Sequence, residues 1–76
     1  MSDVGDCRVL EELRDWLRSR THASAHLFWD SLRERWEVHL SFPDQRLFHR
    51  REVWGRDGDL SAAVDRALSL ARSQGA

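Results

Sequence analysis

Between Arg35 and Phe42 the chain alternates. Trp36, Val38, Leu40 and Phe42 share one parity, while Glu37, His39 and Ser41 share the other. That period of two is the mark of a strand with one buried face, and Pro43-Asp44-Gln45 follows it with turn chemistry. The run predicts the central strand of a small sheet. Upstream, from Cys7 to about Arg20, Leu10, Leu13 and Leu17 recur at helical spacing with Val9 and Trp16 flanking them, which predicts an amphipathic helix. Asp6 is a candidate N-cap. Glu11, Glu12 and Asp15 precede Arg18 and Arg20, an order that suits the helix dipole. Ala25 to Ser31 reads as a first strand through Leu27, Phe28 and Trp29, with Leu32-Arg33-Glu34 as the turn into the central strand. Arg46 to Trp54 reads as a third strand whose apolar residues fall on both parities, as in a bulged or two-sided edge strand. Gly55 to Gly58 reads as a loop. Asp59 then caps a closing helix whose stripe is Leu60, Val64, Ala67, Leu68 and Ala71. Its alanines allow close approach to a sheet, and Gly75 sits where the helix should stop.

The expected fold class is therefore α+β: a single αβββα domain over residues 7–74, preceded by a flexible N-terminus over 1–6. Consecutive strands with short turns imply a three-stranded antiparallel meander packed against the N- and C-terminal helices. Both helices are expected on one face, and the mixed parities of strands one and three leave one helix per face as the alternative. Val38, Leu40, Leu13, Val64 and Leu68 are the expected core. With both helices on one side, Glu37, His39 and Ser41 lie on an open face together with one parity of each neighbouring strand.

Composition narrows the function classes. A chain of 76 residues has one modest core and marginal stability, so the four Trp and three Phe must supply much of it. At least one of Trp16, Trp29, Phe48 or Trp54 is expected to stay partly exposed. The formal net charge of −1 argues against a protein that simply coats nucleic acid. Residues 33–56 hold six Arg and four acids, whereas residues 1–32 hold four Arg and six acids. The middle of the chain is thus locally basic. All twelve basic side chains are Arg, the residue suited to planar, bidentate contacts. A lone Cys7 forms no intramolecular disulfide and points to a reducing, cytoplasmic setting. No apolar run reaches membrane-spanning length and no signal-peptide pattern is present, so no membrane association is expected.

The strand Trp36-Glu37-Val38-His39-Leu40 and the helix Leu60-Ser61-Ala62-Ala63-Val64-Asp65-Arg66-Ala67-Leu68 resemble small phage-encoded proteins of the alpha-beta-alpha sandwich type, over about residues 34–72. That resemblance implies no known reaction. It implies instead a host-directed inhibitor, for instance of the anti-CRISPR kind, acting on a larger host protein or complex. The element order is also similar to the double-stranded RNA-binding domain. There a lysine cluster at the start of the last helix grips phosphates. Here Asp59, Leu60, Ser61, Ala62 and Ala63 occupy that place, so the likeness extends to the topology and not to the RNA contacts.

The candidate chemistry is sparse. His22 and His26 are four apart, but in a connection and an early strand. One Cys and four dispersed His match no zinc spacing, and neither a metal nor another cofactor is expected. Cys7 beside a His would be a nucleophile–base pair, yet Cys7 opens an amphipathic helix, where a small buried residue is ordinary. The chain is not expected to be an enzyme. Gly55-Arg56-Asp57-Gly58 precedes a helix N-terminus, but Asp57 and Asp59 would repel a phosphate there.

The local positive surface is the Arg-rich third strand. Arg46, His49, Arg50, Arg51, Trp54 and Arg56 are the expected partner-binding residues, because Arg and Trp dominate protein–protein hot spots. Arg50 and Arg51 must point to opposite faces, leaving at least one free to pair outside the domain. The expected function is a small, non-catalytic protein-binding module. A nucleic-acid-binding module using the same strand and a structural homodimer subunit are the alternatives.

Overall fold

In the computed structural model the chain runs α1 (Asp3–Arg18), β1 (Ser24–Asp30), β2 (Arg35–Asp44), β3 (His49–Asp57) and α2 (Leu60–Ser73). The structure describes residues 3–44 and 49–74. The three strands form one antiparallel sheet in the order β1-β2-β3, and the fold is the α+β meander between two helices that the pattern predicts.

The alternation in β2 does place Val38, Leu40 and Phe42 in the core, where each is almost wholly buried. Their cross-strand partners on the same face are Leu27 and Ala25 on β1, and Gly55, Val53 and Arg51 on β3. Helix α2 lies over this face with Ala63, Val64, Ala67, Leu68 and Ala71 buried. Gly55 is what lets it come so close: a β-carbon there would meet the Ala63 carbonyl oxygen and would lie 2.6 Å from the Ala67 nitrogen. Asp59 caps α2, its side chain accepting from the Ala62 N–H, which satisfies one of the donors that a helix start leaves orphaned.

Helix α1 covers the same side. The Trp16 ring meets Phe42 edge-on at 5.8 Å, so both helices share one face, and among the described residues no helix covers the other. The buried stripe of α1 is Val9, Leu13 and Trp16, an i, i+4, i+7 line rather than the expected line through Leu10, Leu13 and Leu17. Leu10 is largely exposed, because the helix is rotated to seat Trp16 against the sheet. Cys7, expected to be buried, is exposed for the same reason.

Other boundaries differ in instructive ways. Helix α1 begins at Asp3 rather than after an Asp6 cap, so residues 3–6 are helical. Pro43 lies inside β2, paired with Arg50 across from it, so β2 does not stop at Phe42. Strand β1 pairs with β2 only as far as Ser41, so Pro43 lies beyond it, where a missing donor is tolerated. The third strand reaches further toward the C-terminus than expected. It continues through Gly55 and Arg56 to Asp57, so Gly55 belongs to the strand and not to a loop. Its expected start at Arg46, and with it Leu47, Phe48 and Arg46 itself, lies outside the described residues, as does Gly75.

The β1–β2 turn has no Gly, and Glu34 takes the left-handed position at φ 52°. Asp30 anchors that turn. Its Oδ1 accepts from the backbone N–H groups of Leu32 and Arg33, and its Oδ2 accepts from Arg33 Nη1. Among the described residues no helix is long and apolar enough to cross a membrane.

Candidate interaction face

Strand alternation assigns the residues of the open face. From β1 come Ser24, His26, Phe28 and Asp30, from β2 Arg35, Glu37, His39 and Ser41, and from β3 Arg50, Glu52, Trp54 and Arg56. The register sets His26, His39 and Trp54 in one row across all three strands. His26 stacks on His39 with ring centroids 6.1 Å apart, and His39 stacks on Trp54 at 4.4 Å. Phe28 meets Trp54 edge-on at 6.3 Å, and the Arg56 guanidinium sits 4.9 Å from the Trp54 centroid. Phe28 is 45% exposed and Trp54 36%. A mixed aromatic and imidazole row therefore crosses the middle of a face that no helix covers.

The charges around this row are compensated in place. Glu37 is buried, and its two carboxylate oxygens accept from Arg35 Nε at 3.2 Å and from Arg56 Nε at 3.3 Å. His39 Nε2 lies 2.6 Å from Glu52 Oε1. Arg50 donates from Nε to the Ser41 hydroxyl at 2.8 Å and from Nη2 to the His22 carbonyl at 2.7 Å. It thereby ties β3 across β2 to the connection before β1. Three Arg on this face thus stand against Asp30, Glu37 and Glu52.

The expected site does not come together on one surface. Arg50, Trp54 and Arg56 are on the open face, while His49 and Arg51 share the parity of Val53 and lie on the helix side. Arg51 bonds Asp44 through Nε and reaches Oε1 of Gln74, the C-cap of α2, at 3.3 Å. Arg50 and Arg51 do point to opposite faces, but both are engaged inside the domain, so neither is the free guanidinium expected from the sequence. His26, Phe28, Glu37, His39 and Glu52 join the face instead. The parity of β2 already pointed to Glu37 and His39. His26 and Phe28 needed the β1 register, which β1's own ambiguous alternation hides.

Of the aromatics expected to include an exposed one, Trp29 and Trp54 are partly exposed and Trp16 is buried. Trp29 sits on the helix side against Trp36, their centroids 5.7 Å apart. Among the described residues no three His, Cys, Asp or Glu side chains converge as metal ligands would. No protein-family model, curated protein or solved structure matches this chain.

Proposed function

We propose that this chain is a non-catalytic docking module that binds a protein partner through its open sheet face. The observation that supports this is the row of His26, half-buried His39 and Trp54 with exposed Phe28 beside it, bordered by charges of both signs. Aromatic side chains with an Arg anchor, ringed by polar groups, have the composition of a hot spot and its rim. The occupant this fits is a protein surface offering an apolar or aromatic side chain flanked by both acidic and basic groups. An inhibitor of a larger complex, the role that the sequence resemblance implies, would act by covering a working surface of its target with this face.

Nucleic acid fits the face less well. Binding a phosphate backbone needs a surplus of cations, and here three Arg are matched by three carboxylates. Base stacking needs a free π-face, and the Trp54 ring is already stacked on His39 and shared with Arg56.

The test is affinity capture from a host lysate with the intact chain and with Phe28→Glu, each with and without nuclease. A protein retained at high salt after nuclease, and lost with Phe28→Glu, is the expected result. Retention that nuclease or salt abolishes would replace the protein reading with the nucleic-acid one.

A further inference from the structure

We propose that the free edge of β3 takes a second copy of this chain, β3 pairing antiparallel with β3 about a two-fold axis through Trp54. The sheet order leaves β1 and β3 as its edges, and an unpaired edge is a template for another strand. Proteins commonly blunt such edges with charges that repel a partner strand. The charges of β3 do the reverse: they complement their own image.

Antiparallel two-fold pairing keeps both open faces on the same side, so only residues of equal parity lie opposite. With Trp54 on the axis, Glu52 faces the partner's Arg56 and Arg56 faces the partner's Glu52, all on the open face. On the helix face Arg51 faces the partner's Asp57, and Asp57 the partner's Arg51. Arg51 and Asp57 are already held within their own chain, Arg51 by Asp44 and Gln74 and Asp57 by Arg66, so the two Glu52–Arg56 pairs are the ones that flank a Trp–Trp contact. Directly opposed side chains have β-carbons about 4.5–5.5 Å apart, within reach of such pairing, and like charges there are destabilising.

Neighbouring registers lose this match. Centring on Arg51 or Glu52 sets that residue against itself, and centring on Val53 sets Arg50 against Arg56. Centring on Gly55 leaves Arg56 opposite Trp54 and Asp57 opposite Val53. A single register is thus selected by charge, as hydrophobic pattern selects it elsewhere. The groups concerned are accessible: the side chains of Glu52 and Arg56 are 60% and 43% exposed.

Helix α2 supplies a second element of the same seam. A groove of about 540 Å³ runs between the β3 edge and α2, lined by Trp54, Arg56, Asp65, Arg66, Ser69 and Leu70. Joining the strands brings the two α2 helices side by side over this groove, with Leu70, 41% exposed in one copy, covered in the pair. The product is a six-stranded sheet whose two open faces form one continuous surface. The dimer stands independently of what docks on that surface.

The test is the mass of the intact chain in solution by sedimentation equilibrium, with Glu52→Arg, Arg56→Glu, the exchanged double variant Glu52→Arg/Arg56→Glu, and Leu70→Asp. The parent is expected at twice the 8.9 kDa of one chain. Each single reversal places like charges opposite at two symmetric points and should weaken the dimer by about tenfold or more. The double exchange restores the pairing and should recover most of that loss, whereas loss of the internal partners His39 and Glu37 would not be repaired. Leu70→Asp should weaken the dimer as well. Circular dichroism checks that each variant is folded, and the double exchange decides if a single reversal is not. A parent that is monomeric up to millimolar concentration overturns the proposal. So does a dimer indifferent to the charge reversals. Sensitivity to charge with indifference to Leu70→Asp would place the second copy on the open face and overturn the edge.

Discussion

Gly55 and Ala63 leave no room between them: a β-carbon added to Gly55 would meet the Ala63 carbonyl oxygen, with the Ala67 nitrogen 2.6 Å and the Ala67 β-carbon 2.9 Å away. These are backbone atoms of α2 and a methyl fixed to them, so no flexible side chain can swing aside. Gly55→Ala must push α2 off the sheet or bend β3. Overpacking of this kind costs about 1–3 kcal/mol and occasionally more. A domain of this size loses on the order of 4–8 °C of melting temperature for each kcal/mol. Thermal unfolding of Gly55→Ala should show a large drop, and a melting temperature equal to the parent's would mean that α2 does not sit on Gly55.

Leu40 is fully buried at the centre of β2, between Ala25 and Val53. Leu40→Ala removes its packing and leaves a cavity, which costs about 2–5 kcal/mol. That range approaches the whole stability of a small domain. Denaturant unfolding should show a clearly lower midpoint or a chain already unfolded in buffer. A midpoint within error of the parent's would remove Leu40 from the core.

The central strand was legible because one face is buried and the other is polar, so Trp36 to Phe42 carry an unmixed period of two. Helix α2 was legible because its Asp59 cap and alanine stripe agree with each other. Strand β3 was harder to read. Arg51 and His49 sit on the helix side as polar residues, and Trp54 sits on the open side as an apolar one, so its alternation contradicts its facing. Gly55 looks like a loop residue in sequence, and only contact with α2 explains it as a strand residue. The expected site inherited that error. Adjacency in sequence grouped Arg50 with Arg51, and the pleat separated them. The row of His26, His39 and Trp54 draws one residue from each strand and requires the pairing register, which no local pattern of β1 or β3 specifies.

Asp30 gives a pH prediction with a definite sign. The backbone N–H of Arg33, then its guanidinium, bond the Asp30 carboxylate and hold its pKa below the ordinary 3.8. A depressed carboxylate pKa means that the folded state favours the ionised form. The turn's stabilisation is therefore complete above pH 3.8 and is lost as pH falls through the folded-state pKa. Carboxyl-carbon NMR should give an Asp30 titration midpoint below 3.8. A midpoint at or above that value would mean that Asp30 does not hold the β1–β2 turn.

Arg50 and Arg51 are neighbours in sequence that brace opposite sides of the sheet, and both are expected to matter for stability more than for recognition. Arg51 joins Asp44, at the end of β2, to Gln74, at the end of α2. The Asp44 side chain is only 10% exposed, whereas Arg51 is 36% exposed. Reversal to Glu would therefore set a second carboxylate beside a largely buried one, in a site that solvent still partly screens. Exposed pairs contribute up to about 1 kcal/mol and buried pairs cost about 3–5 kcal/mol to break, so Arg51→Glu should lose roughly 1–3 kcal/mol. Arg50→Glu removes the bonds to Ser41 and to the His22 carbonyl. Hydrogen bonds to charged groups contribute roughly 1.5–3 kcal/mol at most, and less where solvent competes. Phe28→Glu removes an exposed ring that packs edge-on against Trp54, outside the core, and should leave the melting temperature within a few degrees of the parent's. The contrast is what separates a brace from a contact residue. Thermal melts of all three variants, run beside partner capture, should show the Arg variants losing stability and Phe28→Glu losing binding. Folded Arg50→Glu and Arg51→Glu variants that keep the parent's melting temperature and still lose the partner would return the site to the Arg-rich strand.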